Sequence, residues 1–339
     1  MIVDRYYYHQ LNKQEQAIYK AFYDGVMAHE EIIPIPVRGK FSQESFERIF
    51  MAMTRDNPLI YFLNQSACST ASDMFGHLAI CPQYFFSKEK VKEYNRKIEK
   101  VVNELAGQLR LLECSDYEKE IRIHDWICQN IAYDYEGTDK SKLSRVIASH
   151  NILGVFAHHK AQCEGIAKAV KVLLNVVDVK CIVVTGDVVK NGESIPHAWN
   201  IVNIDGEPYQ LDVTWDIGAL GKEKQRIAYD YFNLTDELMG QDHKADSEFP
   251  ACKAKTANYY VQNKCSFLLR HRLMAYIDKL VEQQANVLEF RAESRLNKPA
   301  IEREVSEYIL QKLQEQEKSG AGIRTYANRK LGVYRIEIS

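Results

Sequence analysis

Ala161-Gln162-Cys163-Glu164-Gly165-Ile166-Ala167, Pro196-His197-Ala198-Trp199-Asn200 and Tyr209-Gln210-Leu211-Asp212-Val213-Thr214-Trp215-Asp216 are three pieces of one stretch, residues 161–216, whose reading decides the fold. The cysteine is followed by Ile166, Val170, Leu173, Leu174 and Val177 at helical spacing, so the thiol sits on the first turn of an amphipathic helix. The positive end of the helix dipole favours a thiolate there, and Gly165 is tolerable so close to the start. Cys163 is therefore a candidate reactive thiol.

Strands are expected at Cys181 to Val188, His197 to Ile204 and Glu207 to Trp215, the last two joined by the two-residue hairpin signal Asp205-Gly206. If that pair is the whole loop, residue 204 faces 207, 199 faces 212 and 197 faces 214. Period two then puts His197, Trp199 and Asp212 on one face, with His197 and Asp212 a diagonal pair roughly 7 Å apart at the backbone. Val202, Ile204, Tyr209, Leu211 and Val213 form an apolar opposite face. The helix of Cys163 is expected in front of the His–Asp face, which would bring together a nucleophile, a general base and an orienting carboxylate.

The Gln-Cys pair opening a helix, the His-Ala-Trp-Asn strand and the Leu-Asp-Val-Thr-Trp-Asp strand, in the chain order Cys, His, Asp, resemble the transglutaminase-like superfamily, relatives of papain-type thiol enzymes. The resemblance covers about 100 residues, from Tyr117 to Tyr231-Phe232-Asn233-Leu234. It implies an α+β, papain/transglutaminase-like core, with Cys163 as nucleophile, His197 as base and Asp212 as orienter. Ile166 departs from the aromatic found in many members, a change expected to alter packing under the helix more than chemistry. No stretch resembles the calcium-binding loops of the animal cross-linking enzymes.

A chain of 339 residues buries a full core and divides into two or three lobes. The expected division is an N-terminal mixed lobe over 1–86, a catalytic core over 87–262 and a C-terminal α+β subdomain over 263–339. A net charge of −2 and a pI near 6.6 provide no field for nucleic acid or anionic membrane. No apolar run is long enough to cross a bilayer and the first residues lack a signal-peptide core, so a cytoplasmic protein is expected. The eight cysteines stand singly, without a CxxC pair, and are read as free thiols.

Helices are expected at Leu11 to His29, Ser42 to Asp56, Ser87 to Cys114 and, after the capping box Ser115-Asp116-Tyr117-Glu118, to about Ile131. Leu59 to Leu63, Phe75 to Phe86 and Ala228 to Leu234 read as strands, and Gln241 to Pro250 as a polar loop. The long segment Tyr133 to Lys160 has room for a short helix near Leu143 to Ser149 and is a candidate border of a substrate groove. The tail reads as helix Leu268 to Gln284, strand Val287 to Ala292, helix Pro299 to Glu317 and a hairpin of Ile323 to Ala327 with Val333 to Ile338.

Asp216 is the alternative orienter if a bulge shifts the register. The backbone N–H of Cys163 is a natural oxyanion donor, and Gln162 is a candidate second donor. Trp199 and Trp215 are either core or groove walls. His158, His159, Cys163 and His197 fit no common zinc spacing, so no metal and no other cofactor is expected. His124-Asp125 reads as surface or packing. The residues point to acyl transfer from a peptide or amide carbonyl through a thioester, with hydrolysis favoured over amine transfer to a protein glutamine or a peptide-binding role. The expected partner is a peptide or protein substrate.

Overall fold

The computed structural model describes residues 4–38, 42–137, 143–190, 192–219, 226–316 and 322–339. At its centre is an antiparallel four-stranded sheet in the order Glu207–Leu211, Glu193–Ile204, Cys181–Lys190, His243–Ala245. Asp205 (φ 53°) and Gly206 (φ 93°) both take the left-handed conformation that a two-residue hairpin turn matching the strand twist requires. Ile204 pairs with Glu207 and Asn200 with Leu211, the register derived from that turn. The strand is shorter than expected, because the ladder stops at Leu211 and a helix, Val213–Ala219, begins. Asp212 caps this helix, its Oδ1 accepting from the Trp215 N–H at 3.1 Å. Aspartate at this position satisfies an orphan helical donor and so competes with strand continuation.

The helix Cys163–Val176 buries Ile166, Ala169, Val170 and Leu173 against the sheet face that carries Val202. Asn200 Nδ2 donates to Ala167 O at 3.0 Å and fastens strand to helix. This is the face opposite to the one expected, since His197 and Trp199 alternate with Ala198 and Asn200 along the strand. The physical reason is that the apolar face is the better partner for an apolar helical stripe. Lys171, although on the buried side, is satisfied by the carbonyls of Cys181 (2.5 Å) and Asp4 (3.0 Å).

The second face of the sheet, with Ile182, Val184, Trp199 and Ile201, shares a core with the C-terminal residues. These form a four-stranded sheet in the order Ser266–Phe267, Val287–Ala292, Val333–Ile338, Ile323–Asn328, with helices Arg270–Glu282 and Ile301–Glu315. Glu317, expected to end the second helix, lies outside the described residues. The central sheet is thus covered on both sides, by one helix and by one α+β unit.

At the N-terminal end, helices Lys13–Ala28 and Gln43–Asp56 accompany a three-stranded sheet of Ile33–Arg38, His77–Cys81 and Ser69–Ser72. Asn12 with Glu15, and Ser115 with Glu118, form capping boxes at the starts of Lys13–Ala28 and Asp116–Asn130. The buried residues of this region run without interruption into the core beneath the helix of Cys163. Two expected strands are not extended ladders: Leu63 makes a lone bridge to Tyr84, and Leu234 a lone bridge to Gln210. Asn233, at φ 54°, turns the backbone next to that second bridge.

Nothing lies within 4 Å of a methyl group built on Gly206, so an alanine there meets only backbone strain. Gly206→Ala is expected to lower stability by about 1–2 kcal/mol. Thermal denaturation would register this as a Tm lower by a few degrees with the transition shape unchanged.

Candidate active site

Cys163 is half-buried at the first position of its helix, whose N-cap is Gln162. The start of a helix leaves the Cys163 N–H without an intrahelical acceptor. Around it the chain is tightly packed: a methyl group on Gly165 would lie 2.5 Å from Ser149 O and 2.9 Å from Asn151 O. The loop before the thiol is pinned on its helix by that close approach.

His197 lies just beyond the Asn200–Leu211 pair, the last of that ladder, where among the described residues no strand pairs with it on that flank. Its Nε2 meets Asp212 Oδ2 at 2.7 Å, and the Cys163 side chain is a further hydrogen-bonding and electrostatic neighbour of the same ring. The sheet therefore presents thiol, imidazole and carboxylate in sequence, although helix and histidine belong to opposite faces. Burial opposes charge on His197, but Asp212 and Cys163 outweigh it and raise the imidazole from 6.5 to about 10. Burial likewise opposes charge on Asp212, yet the His197 and His243 rings hold its carboxyl well below the usual carboxylate range.

Asp212 has a partner the sequence did not reveal. His243 Nε2 meets the same Oδ2 at 3.0 Å, and His243 Nδ1 meets Asp242 Oδ1 at 2.7 Å. His243 comes from the edge strand His243–Ala245, in the segment expected to be a loop. That strand approaches Gly186 so closely that a methyl group there would stand 2.1 Å from Lys244 O. The local signal was the lone glycine inside a strand rich in β-branched residues. Nothing in the residues around His243 indicated which partner it would meet.

The remaining candidates fall in different places. Gln162 is buried and donates from Nε2 to Asp134 O at 3.1 Å, which commits one of its amide hydrogens away from an oxyanion. Trp199 is only 2% exposed and its indole N–H donates to Gln210 Oε1 at 2.7 Å, so it belongs to the core and not to the groove wall. Trp215 does line the cleft. Asp216 is turned away from His197, with Oδ2 3.1 Å from His124 Nε2 and Oδ1 accepting from Tyr231 N at 2.9 Å. His124 is accordingly buried, where a surface position had been one of two expectations, and the pair braces Tyr231, whose carbonyl accepts the Asp212 N–H at 3.0 Å. His158 and His159 are exposed. All eight cysteines are free thiols.

A cleft of about 580 Å³ opens beside His197. Tyr133, Tyr135, Ile195 and Trp215 line it together with Tyr326 to Lys330 of the C-terminal hairpin. Tyr133 and Tyr135 belong to the segment read as a groove border. Donor atoms of His197, Asp212 and His243 lie within 4.8 Å of one another, the spacing of three ligands to one ion. Both imidazole nitrogens concerned are hydrogen-bonded to the carboxylate oxygen itself. Among the described residues no helix is long and apolar enough to cross a membrane.

The pH dependence of stability follows from the two shifts. His197 is raised on folding, so its contribution is complete below about pH 6.5 and fades as pH rises towards about 10. Asp212 is lowered, so its contribution is complete above about pH 4 and fades on acidification. The gap in urea midpoint between wild type and His197→Gln is therefore expected to be wide near pH 5.5 and to narrow near pH 9.5. A gap that stays constant or widens at high pH would contradict the pairing.

Residues 103–212 match the family described as the transglutaminase-like superfamily. The mouse and human proteins named kyphoscoliosis peptidase are similar to this chain over 159 residues, at 28% and 26% identity. Each alignment covers 43% of this chain and 23% of the relative, so the chain spans about a quarter of the length of the curated relatives it matches. A solved structure titled as that of a TGase shares 15% identity, with a TM-score of 0.31 over 54% of this chain and 51% of the other. The match spans the segment that holds Cys163, His197 and Asp212, so this part of the chain is similar to the transglutaminase-like superfamily.

Proposed function

We propose that this chain is a cysteine-nucleophile acyl-transfer enzyme that hydrolyses peptide or amide bonds through a thioester. The observation that carries the reading is the ring of His197, fixed through Nε2 to Asp212 while Cys163, at a helix start, stands against the same ring. In the resting pair the thiol proton resides on His197, whose charge Asp212 stabilises. The thiolate adds to the carbonyl carbon, and the Cys163 N–H faces the developing oxyanion. The C–N bond then breaks, the leaving amine takes the proton from His197, and an acyl thioester remains. Water, deprotonated by His197, completes the cycle by releasing the acid and the thiol.

Hydrolysis is preferred over amine transfer because the cleft beside His197 reaches water: Tyr135, which lines it, is 78% exposed. The curated relatives carry the name peptidase, which agrees in direction. A peptide occupant suits a cleft lined by aromatic and aliphatic side chains and by polar residues of the C-terminal hairpin.

The test is incubation with an unfolded protein such as casein together with a dansylated primary amine, followed by mass spectrometry. New peptide termini or glutamine-to-glutamate conversion, with no dansyl adduct, are expected. Cys163→Ala should lower the rate by at least ~10³-fold. Dansyl incorporation would replace hydrolysis by amine transfer, and absence of both products with bound peptide would replace it by a binding role.

A further inference from the structure

One charged side chain at the centre takes no part in the thiol chemistry just described. His243 is buried, and its ring is enclosed by Trp199, Trp215, Tyr231 and His197 at centroid distances of 5.1, 4.8, 5.5 and 5.6 Å. Its two nitrogens meet carboxylate oxygens, Nε2 on Asp212 and Nδ1 on Asp242. Carboxylates accept hydrogen bonds and do not donate them, so a ring bonded to both through its nitrogens carries a proton on each. His243 is an imidazolium. On the far side, Asp242 Oδ2 accepts from the Tyr231 hydroxyl at 2.9 Å and lies 3.6 Å from Lys330 Nζ.

The charges therefore alternate along a chain: Lys330 positive, Asp242 negative, His243 positive, Asp212 negative, His197 positive and, in the resting pair, Cys163 negative. Both imidazoles meet one oxygen, Asp212 Oδ2, while Oδ1 is taken by the Trp215 N–H. We propose that His243 is a positioning residue for the thiol chemistry: held as a cation by Asp242, it fixes the Asp212 carboxylate and shares its charge with His197.

This division has a chemical purpose. An imidazolium served by a whole buried carboxylate keeps its proton, whereas the reaction needs that proton delivered to a leaving amine. A second cation on the same oxygen weakens the hold without loosening the geometry, because the aromatic rings keep His243 in place. The tilt is felt in both directions: His243 is raised despite its burial, through Asp212 and Asp242, while the His197 charge opposes it. Two tyrosine hydroxyls also feel these charges: Tyr133, pushed up to about 12 by burial and by Cys163, and Tyr231, pushed up by burial and by Asp242.

The inference rests on the reading of Cys163 and His197 as thiol and base, and its test needs no turnover. The His197 ring would be titrated by NMR in Cys163→Ala and in the same background with His243→Phe, His243→Gln or Asp242→Asn, the signal being assigned by its loss in His197→Gln. Removing the second cation is expected to raise the His197 midpoint by about one pH unit or more in each. A purely structural role would loosen the Asp212 contact and move the midpoint down towards 6.5, and that result, or no change, would overturn the proposal. His243→Gln keeps a neutral donor and Asp242→Asn keeps the ring, so one of them carries the test if His243→Phe does not fold. An unreactive Cys163 alongside the expected shift would instead sink the catalytic reading and leave the charge chain standing.

Discussion

One buried carboxylate sets the terms for this site. Asp212 is 1% exposed, and an ionised group so deep in the fold is tolerable only with its oxygens fully engaged. Two imidazoles and the Trp215 N–H engage them. Each partner comes from a different piece of chain: the long central strand, the edge strand and the helix that Asp212 itself caps. The place of His197, against which Cys163 stands, thus depends on the folding of all of them together.

The central sheet acts as a partition. On one side lies the helix of Cys163, packed through Ile166, Val170 and Leu173; on the other lies the C-terminal unit, packed against Trp199 and Ile201. Thiol and imidazole meet around the flank left open where the ladder ends at Asn200 and Leu211. Shortening of the Glu207–Leu211 strand is therefore what lets groups from two faces touch. The same arrangement brings the C-terminal hairpin turn to the wall of the cleft.

Local rules made much of this legible. The Asp205-Gly206 turn set the register correctly, and the expected helix starts at Ser42, Ser87 and Ser115 lie within one residue of those found, each serine being the N-cap. Cys163, His197 and Asp212 were readable because a two-residue turn and a helix period are short-range signals. What escaped the sequence was long-range. His243 lies 31 residues beyond Asp212 in an undistinguished polar segment, and only sheet pairing brings it there. The face chosen by the helix was misjudged because alternation identifies two faces without saying which neighbour each will take. Trp199 and Trp215 look alike in sequence, yet one is core and the other lines the cleft, since burial depends on what packs above them.

The most direct measurement is the pH profile of alkylation by limiting iodoacetamide, resolved by peptide mass spectrometry for each of the eight cysteines, in wild type and His197→Ala. If Cys163 and His197 form the pair described, Cys163 is labelled ahead of the other seven cysteines and loses this lead in the variant. A Cys163 whose labelling follows the other seven, or is unchanged by removal of His197, would contradict the account.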